Sequence, residues 1–207
     1  RPVAPPPPPP QRVLLVGDEV AASMVPDASV ATAARLDVQV VAQAGCGVAV
    51  GGTRIVSGQA PDVANPAACA SVPTQWSTAA AQFLPDVVVV AAGAWDVTDR
   101  QFWSEDPVRR PGDQTFDDFL RTEIATRVDE LSAQGATVVW LTAPHVRRAL
   151  PGVPFPAESL PENDPVRIDK YNEIVRSLAD TTPGMRVVDL AAWAAARPGG
   201  EFDVADR

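Results

Sequence analysis

Apolar residues along the chain come in short runs that alternate with stretches of helical spacing. The run RVLLVG ends at Gly17, and VQVVAQA and DVVVVAAG are similar blocks, the last starting just after Pro85. ATVVWLTAP and MRVVDL complete the set. Continuous β-branched runs of four to eight residues mark strands buried on both faces of a parallel sheet. Between them, FDDFLRTEIATRVDELSAQG places Phe116, Phe119, Leu120, Ile124, Val128 and Leu131 along one helical face, with Gly135 as its stop. DPVRIDKYNEIVRSLADT opens with Asp164 as a helix cap and Pro165 in the first turn. The segment after Gly17 reads as a helix capped by Asp18 and broken near Pro26 into two pieces. STAAAQFL reads as the end of another helix, stopped by Pro85, and a short helix follows the last strand.

The order is β-α-β-(loop, α)-β-α-β-α-β. Strands alternating with helices predict a three-layer α/β/α sandwich around a parallel sheet of about five strands, flavodoxin-like in its layering. Such folds bind ligands at the carboxyl ends of the strands. That rule collects Asp18, Glu19, Gly45, Gly47, Gly93, Trp95, Asp96 and the segment 143–150 on one rim. Two long stretches, from Gly45 to Ser77 and from Ala94 to Thr115, read as loops. Long loops in a compact domain are functional or cross-linked.

Composition narrows the picture. The 207 residues suffice for one domain with a sizeable core, and 46% of them are hydrophobic. The formal net charge of −9 argues against a nucleic-acid partner, since phosphate binding needs a basic surface. It argues equally against docking on an anionic membrane. The opening RPVAPPPPPPQ, residues 1–11, reads as a polyproline II linker, rising about 3.1 Å per residue. The domain proper spans 12–207. No apolar run approaches the length of a membrane span or marks a signal peptide. Cys46 and Cys69 lie in adjoining loop-like segments. They are expected to form a disulfide, which belongs to an exported domain; two buried thiols are the alternative. Their spacing and the single histidine, His145, do not suit zinc, and no cofactor or metal is expected.

The rim blocks carry a family resemblance. VLLVGDEVA resembles the first block of the SGNH (GDSL-type) hydrolase superfamily, where a strand ends in Gly-Asp-Ser and the serine is the nucleophile. AQAGCGVAVGG resembles the second, a glycine turn that supplies an oxyanion-hole amide, and VVVVAAGAWDVTDR resembles the third, which reads Gly-x-Asn-Asp. With LTAPHV and NDPVRIDKYNEIVRSLA, the set is most similar to the C-terminal SGNH-like domains of actinobacterial membrane acyltransferase-three proteins. The resemblance implies acyl transfer, in which serine attacks an ester, histidine takes its proton and amides hold the oxyanion.

Three departures stand out. Glu19 occupies the nucleophile position beside Asp18. A carboxylate attacking an acyl group gives a labile mixed anhydride, and its charge opposes a developing oxyanion. Trp95 occupies the position of the oxyanion-hole Asn and offers a single indole N–H; a ring lining a pocket is its other reading. The final Asp-x-x-His block does not follow GGEFDVADR, which suggests a chain cut short before it.

The resemblance therefore implies an extracytoplasmic domain, tethered through a preceding membrane acyltransferase domain and acting on a cell-envelope glycan or glycolipid. The alternatives are an inactive pseudo-hydrolase that binds a glycan or protein partner, and a stand-alone secreted carbohydrate esterase. His145 follows a strand end and is expected to be a solvated or hydrogen-bonded loop histidine; a catalytic role at the rim is the alternative. Asp96 and Asp99 are expected to hold Arg100 or cap a turn. Arg147 and Arg148 are candidates to pair with Glu19. A Glu19–Asp96 pair would suggest glycosidase-like acid–base work, which nothing else in the chain supports.

Overall fold

The computed structural model describes residues 8–60, 64–145, 147, 160–198 and 200. Residues 1–7 of the proline-rich segment, residues 148–150 and residues 201–207 fall outside that set.

Five parallel strands form the central sheet. They are β1 (Gln11–Gly17), β2 (Leu36–Ala42), β4 (Val87–Ala91), β6 (Thr137–Leu141) and β7 (Met185–Val188), in the order β2-β1-β4-β6-β7. Helices α1 (Glu19–Ser23) and α2 (Ala28–Ala33) follow β1 on either side of the break at Pro26. Helices α3 (Val72–Phe83), α4 (Gln114–Ser132), α5 (Pro165–Ala179) and α6 (Leu190–Ala195) complete the layers. The three-layer sandwich expected from the strand runs is the one observed.

The continuous apolar runs are needed because each strand feeds two cores by alternation. Leu14, Val16, Val88, Val90, Val138 and Trp140 point into the larger core, under α3, α4 and α5. Leu15, Ala91 and Leu141, each next in the chain to one of these, point into a thinner core with Ala21 of α1 and Leu190 of α6. In the larger core the Trp140 indole donates to the Tyr171 hydroxyl (2.9 Å), which donates to the Ala92 carbonyl (3.1 Å). That chain satisfies two buried polar groups and ties α5 to the end of β4.

Both stretches read as loops contain regular structure. A second, antiparallel sheet pairs β3 (Thr53–Ile55) with β5 (Asp99–Gln101), and α3 already begins at Val72 after a 3-10 turn over Ala67–Ser71. Each of these strands has only three residues. Their side chains invert the usual pattern: Ile55 is exposed while Arg54 and Arg100 are buried. A period-2 reading cannot see such strands. The Cys46–Cys69 disulfide joins the loop after β2 to the turn before α3, as expected for two loop cysteines.

Candidate functional site

The carboxyl ends of β1, β2 and β4 lie in register, with Gly17 beside both Ala42 and Ala91. The chain leaves β1 through Gly17 and Asp18 directly into α1. Asp18 caps that helix, accepting from the Val20 amide at 2.8 Å. This strand–turn–helix junction sets Glu19 at the rim with its side chain exposed.

Two donors converge on the Glu19 carboxylate. The Trp95 indole Nε1–H reaches both oxygens, at 2.9 and 3.0 Å, and the Gly45 backbone N–H reaches Oε2 at 3.1 Å. The first block, the glycine turn after β2 and the turn after β4 therefore meet at one carboxylate, across sequence separations of 26 and 76 residues. Gly45 holds a φ of +79°, which turns its amide while its carbonyl faces the other way.

Asp96, one residue after Trp95, faces inward. It is fully buried and accepts from the Val48 amide at 3.1 Å and the Ala49 amide at 2.9 Å. Both its oxygens are thus committed to the glycine turn, and the acid–base pairing with Glu19 does not form. Gly47 is what lets the turn come so close: a Cβ there would lie 2.3 Å from the Asp96 carboxylate. Gly93 begins the turn after β4, and its carbonyl accepts from the Asp96 amide at 3.0 Å.

Burial raises the Asp96 carboxyl above its ordinary value, against the pull of the two amides and of Arg100 and Arg54. Asp18 is pushed up to about 7, first by burial and then by the charges of Glu19 and Asp96, with the Val20 amide opposing. Its Oδ2 has no hydrogen-bond partner among the described residues. That carboxyl borders a small apolar hollow lined by Val20, Ala91, Leu141, Pro144 and Leu190.

The other candidates separate from this cluster. His145 Nε2 lies 2.9 Å from Asp169 on α5. Asp99 pairs with Arg167 at 2.7 Å rather than with Arg100. Arg100 is spent on the carbonyls of Gly51 and Ala49, at 2.6 and 2.9 Å, and burial lowers its guanidinium to about 10. The arginine pairing expected for Glu19 falls partly on Arg148, outside the described residues; Glu19 takes its hydrogen bonds from Gly45 and Trp95. Arg54 is the residue the sequence reading missed. It lies under the rim with its Nη1 on the Gly45 carbonyl at 2.9 Å and its guanidinium 5.5 Å from the Trp95 ring centroid. Among the described residues no cluster of three or more His, Cys, Asp or Glu is placed to hold a metal ion.

A family model for the GDSL-like lipase/acylhydrolase family matches residues 16–207. The chain belongs to this family. A GDSL-like assignment agrees with the rim, where the blocks meet in the order their sequence suggested. Solved structures share the fold. The chain is similar to TesA, at 17% identity and a TM-score of 0.51, over 91% of this chain and 84% of that one. It is also similar to a lipase/acylhydrolase from Enterococcus faecalis, at 14% identity and a TM-score of 0.51, over 93% and 82%. No curated protein matches it in sequence.

Proposed function

We propose that this GDSL-like domain is the extracytoplasmic domain of a membrane O-acyltransferase acting on cell-envelope glycans or glycolipids. In this reading Glu19 stands where the family's serine nucleophile would be. The observation that carries it is the Glu19 carboxylate seated on the Gly45 amide and the Trp95 indole. Those donors are of the kind that hold a developing oxyanion, and they converge at the junction where an acyl-forming residue is expected. Family membership supports the acyl chemistry, and the Cys46–Cys69 disulfide is compatible with an oxidising compartment.

The same geometry favours a role in binding over covalent catalysis for this domain. A fixed negative charge already fills the donors, so an incoming acyl oxygen would compete with it. An acyl group taken onto Glu19 would form a mixed anhydride, whose hydrolysis needs no enzyme. The domain then holds the acceptor, while the acyl group comes from the preceding membrane domain.

Incubation with an activated acetyl ester tests this, read by intact-mass spectrometry and by ester turnover. The expected result is neither an acyl adduct nor turnover in the unaltered domain. Turnover that disappears in Glu19→Ala would overturn the binding role. In cells, Glu19→Ala in the whole protein should lower the O-acyl content of the envelope glycan. An unchanged content would remove Glu19 from the pathway.

A further inference from the structure

Arg54 occupies a position that no general feature of the fold demands. It sits in the middle of β3, 5% exposed, opposite a second buried arginine, Arg100. A buried guanidinium is costly unless its N–H groups are taken. Three of its guanidinium contacts bear on the rim, and its charge also acts on the buried Asp96 carboxyl. Nη1 donates to the Gly45 carbonyl at 2.9 Å. Nη2 lies 3.6 Å from Cys69 Sγ, one half of the disulfide. The guanidinium carbon lies 5.5 Å from the Trp95 ring centroid. The Arg54 backbone is itself clamped, its amide donating to Asn65 Oδ1 at 2.6 Å and its carbonyl accepting from Asn65 Nδ2 at 2.9 Å.

These are the two groups that hold Glu19. Gly45 has no side chain to brace it and turns between two peptide planes; Arg54 pins the plane on the carbonyl side. Trp95 is half-buried, and a cation near its ring restrains the plane whose edge carries Nε1–H. Cys46 follows Gly45 directly, and its bond to Cys69 anchors the far side of the same turn. We propose that Arg54 is the positioning residue of the Glu19 seat, carrying the constraint of the Cys46–Cys69 disulfide to both donors, the Gly45 amide and the Trp95 indole. The proposal rests on the reading of that seat as the domain's ligand-facing site. It makes the donors a coupled pair: neither can be loosened without the other.

Nuclear magnetic resonance on the ¹⁵N-labelled domain tests it, following the Gly45 amide and Trp95 indole resonances. Glu19→Ala defines where each falls when the carboxylate is gone. Arg54→Met should move both toward those positions. The Cys46→Ala/Cys69→Ala pair should move the Trp95 indole the same way, with Arg54 as the link between them. Added to Arg54→Met, the cysteine substitutions should move the indole no further. A Trp95 indole that stays at its wild-type position in Arg54→Met, with the β4 amides unchanged, overturns the proposal. So does one that moves with the cysteines equally in the presence and absence of Arg54. If the cysteine pair does not fold, Arg54→Met and Arg54→Lys decide it. Because the donors are coupled, lysine should return both resonances or neither; an indole restored while the Gly45 amide stays displaced overturns the coupling, and wild-type spectra in both variants overturn the proposal. Glu19→Ala that moves neither resonance would instead remove the seat itself, and the proposal with it.

Discussion

Glu19 and Asp96 are two carboxylates on one rim, and each gathers two N–H donors from the loop after β2 or its neighbour. Asp96 is fully buried, and its donors are the consecutive amides of Val48 and Ala49. Glu19 is exposed, and its donors come from two separate segments, Gly45 and Trp95. An inward carboxylate whose donors belong to one turn holds that turn in shape. An outward one whose donors belong to different segments leaves the same hydrogen bonds open to solvent and, in the function proposed above, to a ligand. Similar chemistry serves structure in one case and is available for exchange in the other. Access to solvent makes the difference, because water can replace a lost partner at Glu19 and not at Asp96.

The sharpest way to break that contrast is Asp96→Ala. It strands two buried amides and removes the counter-charge of Arg100, so unfolding in urea should show a loss of roughly 3–5 kcal/mol. A loss near zero would mean that the 45–50 turn keeps its shape without Asp96. Next comes the pH dependence set by Asp18, whose carboxyl stands at about 7 in the fold against 3.8 as the ordinary value. The folded state holds this proton where the unfolded chain has released it. Stability therefore falls as pH rises from about 4 through 7, by up to about 4 kcal/mol. Asp18→Asn should flatten this slope in denaturation curves taken across that range. Glu19→Gln should shift its upper end downward, since it removes a neighbouring negative charge.

Gly47→Ala sharpens the inner half of the comparison. Its new Cβ would press on the Asp96 carboxylate, and overpacking of this sort costs about 1–3 kcal/mol in thermal or urea unfolding. The smallest effect belongs to Glu19→Ala. Its donors are open to water and Asp18 loses a repulsive neighbour, so stability should stay within about 1 kcal/mol of the parent. A larger loss would make Glu19 a structural carboxylate like Asp96 and end the contrast.

The sheet was legible because each central strand must be apolar on both faces, so runs such as Val87–Ala91 stand out in any window. The meeting of Glu19 with Gly45 and Trp95 was legible in outline, because strand ends in a parallel sheet share one rim. Which atoms would touch was not. Asp96 reaches a turn 47 and 48 residues earlier in the chain, and only packing decides that it faces inward. Arg54 was hidden for a different reason. A three-residue strand with its arginine inside and Ile55 outside gives the opposite of the expected alternation. Its buried charge is tolerated through partners at Gly45 and Asn65 that no local pattern predicts.

The hydrogen-bonded pair of Trp140 and Tyr171 has a practical consequence. Tyr171 is the only tyrosine of the chain, and burial raises its hydroxyl well above the ordinary phenol. In alkali it has no route to the phenolate while α5 stays packed on β6. The ultraviolet band of tyrosinate therefore appears only as molecules open, and after a jump to high pH its growth is a label-free clock for exposure of the larger core.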